Sequence, residues 1–118
     1  MFSRKSLLAL LGVVVLSATP GSVSYVAFEQ ITVAGTAIGF TATRITPPGF
    51  NQATRADCRL ETAQVRYTYD GTTPTSAVGT LLEVGDTIRV DGHDLLVLFR
   101  AIRTGGTSGQ LDCHYTAP

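Results

Sequence analysis

The chain has no tryptophan, one methionine, one lysine and two cysteines, and only 15% of its residues are charged. Each shortage narrows what the protein can be. Without tryptophan there are no indole faces for a sugar to stack on, and the tyrosines are expected to fill that role instead. Positive and negative side chains cancel to a formal net charge of zero, so there is no electrostatic case for nucleic acid or an acidic membrane. Lys5 is the sole lysine, and every later positive charge is an arginine. Arginine suits planar, multidentate contacts at protein interfaces, although codon bias explains the same count equally well. No apolar run exceeds the ten residues of Leu7 to Leu16, too few to cross a bilayer as a helix. There is no internal repeat, no low-complexity segment and no sustained helical period. No serine sits in a nucleophile elbow, and no glycine loop precedes a helix in the manner of a phosphate cradle. The expectation is a protein that is not an enzyme and needs no cofactor.

What the chain does have is threonine, seventeen of them, with 12 glycines and many valines and isoleucines. These favour strands and tight turns. A length of 118 residues with 44% apolar content suits one domain around one core.

The first residues, "MFSRKSLLALLGVVVLSATPGS", combine a basic start at Arg4 and Lys5 with the apolar run. That is the layout of an export signal. The cleavage site fits poorly, because a cut after Ala18 places Leu16 where a small residue is wanted. Cuts after Gly21 or Ser24 fit better, without the usual alanines. Two readings therefore stand for residues 1–24: a cleaved signal, or a retained apolar arm that a partner must cover. Residues 25–118 form the folded domain in either case.

From Tyr25 onward apolar and polar residues alternate. "FEQITVAG" sets Phe28, Gln30 and Thr32 against Glu29, Ile31 and Val33, as in a half-buried strand. "TAIGFTATRI" alternates likewise and is predicted to be a second strand. Pro47-Pro48-Gly49 ends it, and residues 46–54 are predicted to be a loop. Ala56, Cys58 and Leu60 share one face, while Val65, Tyr67 and Tyr69 have the other parity. That slip requires a bulge, a bend or two strands meeting near Glu61-Thr62. "GTLLEVGDTIRV" reads as strand, Gly85-Asp86 turn and strand. "HDLLVLFRAIRTGG" reads as one helical turn over Asp94 to Val97, then a strand. "GQLDCHYTA" closes the chain with Leu111, Cys113 and Tyr115 facing inward. About seven short strands separated by turn signals make an all-β fold, a small antiparallel β-sandwich of Ig-like kind with an N-terminal apolar arm.

Candidate chemistry is sparse. Cys58 and Cys113 both lie on core-facing parity, and a disulfide would fit if their strands are neighbours. An exported protein would form it; in a reducing cytoplasm two buried thiols would pack as small hydrophobes. A zinc site from Cys58, His93, Cys113 and His114 fails, because adjacent strand residues point to opposite faces. "DGHD", Asp91 to Asp94, has too few oxygen ligands at the right spacing for calcium. It reads as a turn, with Gly92 taking the unusual backbone angle and Asp94 capping a helical turn. In "VRYTYDGTTPT", Asp70-Gly71 is a turn signal: Gly71 tolerates positive φ, Asp70 accepts from nearby amides, and Pro74 directs the exit.

Tyr67, Asp70, Gly71, Pro74 and Thr75 resemble the "YxxDGxxPT" corner of small β-sandwich modules at the ends of chitinolytic and hexosaminidase-type enzymes. That likeness spans about a dozen residues, and the corner there is structural. A longer likeness covers most of residues 26–116. "QVRYTYDGTTPT", "VGTLLEVGDTI" and "LFRAIRTGGTSGQLDCHYT", in this order with short gaps, resemble a family of small structural proteins of tailed bacteriophages. "FEQITVAGTAIGFTATRI" resembles the opening strands of the same family. The apolar N-terminal segment departs from that pattern, and so does Cys113, where an aliphatic residue is ordinary. The resemblance implies a virion component, a capsid decoration or another head or tail accessory protein. It would bind the major capsid protein, other virion proteins or its own copies as a homo-oligomer, through residues 1–24 and the Thr46 to Thr54 loop. The competing expectation is an exported carbohydrate-binding or other extracellular module, whose sugar platform would have to draw on Tyr25, Tyr67, Tyr69 or Tyr115.

Overall fold

The computed structural model describes residues 24–118, which fold as two antiparallel sheets packed face to face. The predicted arm, residues 1–24, lies outside the described residues except for Ser24. The element order is β1 (Ser24–Val33), α1 (Ala42–Ile45), β2 (Arg55–Glu61), β3 (Val65–Thr68), β4 (Thr80–Leu82), β5 (Thr87–Asp91), α2 (His93–Leu98), β6 (Arg100–Arg103) and β7 (Gly109–Ala117). A four-stranded sheet runs β1-β7-β2-β5, and a three-stranded sheet runs β4-β3-β6. The all-β sandwich read from the alternation is what forms.

Alternation explains the core. Ile31 and Val33 of β1, Ala56, Cys58 and Leu60 of β2, and Leu111, Cys113 and Tyr115 of β7 all point between the sheets and are buried. The second layer closes over them with Val65, Leu82, Phe99 and Ala101. Burying each large side chain contributes roughly 1.5–3 kcal/mol. The aromatic rings make a chain of contacts through this core. Phe40 stacks on Phe99 with centroids 4.2 Å apart, Phe40 meets Tyr115 edge-on at 5.3 Å, and Phe99 lies 5.8 Å from Tyr67.

The parity slip between Leu60 and Val65 proves to be the place where the chain changes sheet. Thr62 takes a positive φ of 81°, and Ala63 N–H donates to the Glu61 carbonyl at 3.0 Å. β2 therefore ends in the larger sheet and β3 begins in the smaller one.

Two sequence expectations are corrected. "TAIGFTATRI" is not a second strand. The segment crosses from one sheet to the other, touching β6 through a single bridge between Ile38 and Ala101, and then turns into α1. The reason is tertiary: Phe40 and Ile45, not alternate residues, are the buried positions. The Thr41 amide and hydroxyl both donate to the Glu29 carboxylate on β1, which starts the helical turn there. α1 stops before Pro47, since a residue preceding proline avoids the helical region. The second correction concerns α2, where Asp94 is not the cap. Gly92 holds that place with φ 106° and no side-chain hydrogen bond closes the turn.

Candidate interaction surfaces

The loop of residues 46–54 is a constructed feature. Phe50 N–H donates to the Pro47 carbonyl at 3.2 Å, and Gly49 has φ 79°. Proline followed by a positive-φ glycine is the geometry of a type II turn. Farther on, Ala53 N–H bonds the Ile45 carbonyl at 2.7 Å and Thr54 N–H bonds the Thr116 carbonyl at 2.9 Å. The loop is thus anchored beyond its tip, and the turn projects Phe50, which is 79% exposed. Opposite it lies the start of β1, with Tyr25 at 65% exposure. Between them is a cleft of about 400 Å3 lined by Ser24, Tyr25, Val26, Pro47, Phe50 and Asn51, together with Ala117. Among the described residues, no charged side chain lines it. Two regions expected to make contacts, the loop and the end of the N-terminal segment at Ser24, are therefore neighbours at one end of the sandwich.

The Asp70-Gly71 corner of "VRYTYDGTTPT" is elsewhere. Thr72 N–H donates to Asp70 Oδ1 at 3.0 Å, and this bond holds the Asp70 carboxyl below its usual pKa. The Thr68 hydroxyl donates to the Thr72 carbonyl, Gly71 has φ 95°, and Pro74 is buried. Arg66 anchors the far side of the loop, donating to the Ser76 carbonyl at 3.1 Å and the Gly79 carbonyl at 2.8 Å. The polar groups of this corner are spent on its own backbone. Tyr67 leans on Phe99, and burial raises its pKa. Tyr115 is wholly buried, so of the four tyrosines considered for a sugar platform, only Tyr25 and Tyr69 present much surface.

Cys58 and Cys113 sit directly opposite one another on β2 and β7, with Cα atoms 4.1 Å apart and sulfurs bonded at 2.10 Å. His93 Nδ1 lies 2.9 Å from the Ala53 carbonyl. Among the described residues, no three His, Cys, Asp or Glu side chains converge on a metal-sized position. No helix among them is long and apolar enough to cross a membrane.

Sequence reasoning missed the outer face of the larger sheet. There the register aligns Phe28, His114, Asp57 and Arg89 in one row across all four strands. Alternation shows that these residues point outward, but only the pairing of distant strands makes them neighbours.

No family model, curated protein or solved structure matches this chain.

Proposed function

We propose that the protein is a non-enzymatic virion structural protein, a capsid decoration or other accessory protein that stabilises its particle through many symmetric copies. The observation that carries this reading is the uncharged cleft between Tyr25 and Phe50. Two aromatic side chains held out on a turn and a strand end, with no ion to desolvate, suit burial against another protein. Ser24, the last residue of the N-terminal segment, lines the cleft together with Pro47, Phe50 and Asn51 of the loop, so the two expected contact regions meet there. The segments that resemble phage structural proteins, residues 63–115, supply β3 to β7 except for the last two residues of β7. A single contact of this size is weak; repeated in a symmetric array, it gains from effective concentration.

A second reading, an exported β-sandwich module, is favoured by the Cys58–Cys113 bond. Disulfides persist in oxidising surroundings. A particle released from its cell meets those surroundings as well, so the bond is compatible with both readings.

Intact mass of the protein taken from its native assembly, without reductant, separates them. The virion reading expects the whole 118-residue chain, allowing for loss of the initiator methionine, less two hydrogens and co-purifying with particles. A mass short of about 24 residues, from protein found free outside cells, would replace it with the exported module.

A further inference from the structure

The outer face of the β1-β7-β2-β5 sheet holds a second constellation, separate from the cleft. Two adjacent rows cross all four strands. The first is Phe28, His114, Asp57 and Arg89; the second is Gln30, Asp112, Arg59 and Thr87. All of them except Gln30 line a shallow depression of about 790 Å3, within the size range of small-ligand sites.

The groups in it are of three kinds. Phe28, 40% exposed, and the His114 ring lie 5.0 Å apart and present a tilted aromatic surface. Arg89 Nε donates to Asp57 Oδ1 at 2.8 Å, and this bond raises the Arg89 pKa. The other Asp57 oxygen and the Arg89 Nη groups keep no partner among the described residues. Arg59 is held only loosely, 3.5 Å from Glu61. Asp112 Oδ1 is sequestered in the sheet face with no hydrogen-bond partner among the described residues. That oxygen is closed to solvent, so only the rest of the Asp112 carboxylate can meet a ligand in the depression.

The charges decide the ligand class. Asp57 and Asp112 balance Arg59 and Arg89, so neither a polyanion nor a cation gains by entering. A purely apolar ligand would strip water from four charged groups without replacing their hydrogen bonds. What fits is a neutral, flat molecule with an apolar face and a rim of hydroxyls that both donate and accept. We propose that this depression binds a neutral pyranose sugar, its C–H face against Phe28 and His114 and its hydroxyls bonding Asp57, Asp112 and Arg59. The rows sit on four paired strands rather than on loops, so the site is held in place before a ligand arrives.

The test is a titration of the isotope-labelled full chain, followed by amide NMR. The probes are four neutral hexasaccharides, built of glucose, mannose, galactose or N-acetylglucosamine, each at about 10 mM, where millimolar affinities register. At least one should shift amides of the two rows, with a Kd on the order of 1 mM. Phe28→Ala and Asp57→Asn should each weaken that binding about tenfold or more, while Tyr69→Ala at the distant corner leaves it unchanged. Phe28 is partly exposed, so its variant should keep the wild-type spectrum elsewhere; if it does not fold, Asp57→Asn and Thr87→Val decide the matter. The proposal falls if none of the four sugars shifts these rows, if the shifts map to Tyr67–Asp70 instead, or if binding survives the substitutions.

Discussion

The Tyr115 hydroxyl donates to Glu29 Oε1 at 2.7 Å, and the same carboxylate receives the Thr41 amide at 3.1 Å. One side chain on β1 thereby satisfies a tyrosine buried at the centre of the core and starts α1. Glu29→Leu should leave that hydroxyl unpaired and release Thr41, costing about 2–3 kcal/mol in urea unfolding. Tyr115→Phe removes only the donor and should cost about 1 kcal/mol.

The pair also fixes the behaviour at high pH. Burial first, and the bond to Glu29 second, raise the Tyr115 pKa far above its ordinary value. Above the unfolded tyrosine pKa of about 10, the unfolded chain gives up a proton that the folded chain keeps. The unfolded state then binds fewer protons, so stability falls as pH rises, with a slope approaching about 1.4 kcal/mol per pH unit for this group. The contribution is complete below that pH and is lost above it. Melting temperatures measured between pH 9 and pH 11.5 should fall less steeply in Tyr115→Phe than in the parent (a window set by the tyrosine pKa of about 10). Parallel curves would mean that Tyr115 is not shielded as described.

Cys58 and Cys113 close a loop of 55 residues in sequence. In the chain-entropy account a loop of that length is worth about 4 kcal/mol through the unfolded state. Urea midpoints with and without a reductant, or for the Cys58→Ala/Cys113→Ala double variant, should differ by an amount on the order of 2–4 kcal/mol. No difference would mean that the two thiols merely pack.

These two relationships show what the sequence discloses. The inward parity of Cys58, Cys113 and Tyr115 is visible in their own strands, because period-two alternation is local. That Cys58 faces Cys113 depends on β7 lying beside β2, across half the chain, and no local pattern encodes it. The same limit hid the row from Phe28 to Arg89. Residues 37–44 misled for a related reason. Their alternation is genuine, but Glu29 draws Thr41 aside and Ile45 turns inward, so tertiary contacts override a strand pattern. The Thr46 to Thr54 loop was legible because proline and glycine act locally, whereas its position beside Tyr25 was not.

Gly109 opens β7 where there is no room for a side chain. A Cβ there would lie 2.6 Å from the Ala63 carbonyl oxygen and 2.7 Å from a Val65 methyl. Both belong to the passage from the larger sheet to the smaller, so the backbone must shift or the strand must part. Gly109→Ala should destabilise the domain by about 1–3 kcal/mol. Gly105 and Gly106, with nothing within 4 Å, provide the control: alanine at either should leave the midpoint within about 0.5 kcal/mol.

Gly71 distinguishes a fold element from a binding element at the "VRYTYDGTTPT" corner. Its Cβ would have space, with only a Leu98 methyl at 3.9 Å, but its φ of 95° lies in a region that a β-branched residue rarely enters. Strain, not collision, is therefore the expected cost, about 1–3 kcal/mol for Gly71→Val. Asparagine tolerates positive φ better, so Gly71→Asn should recover a good part of that loss. The graded order Gly, Asn, Val in urea midpoints is the signature of a turn requirement. A Gly71→Val protein of unchanged stability that has lost binding to a partner would instead place a ligand contact at this corner.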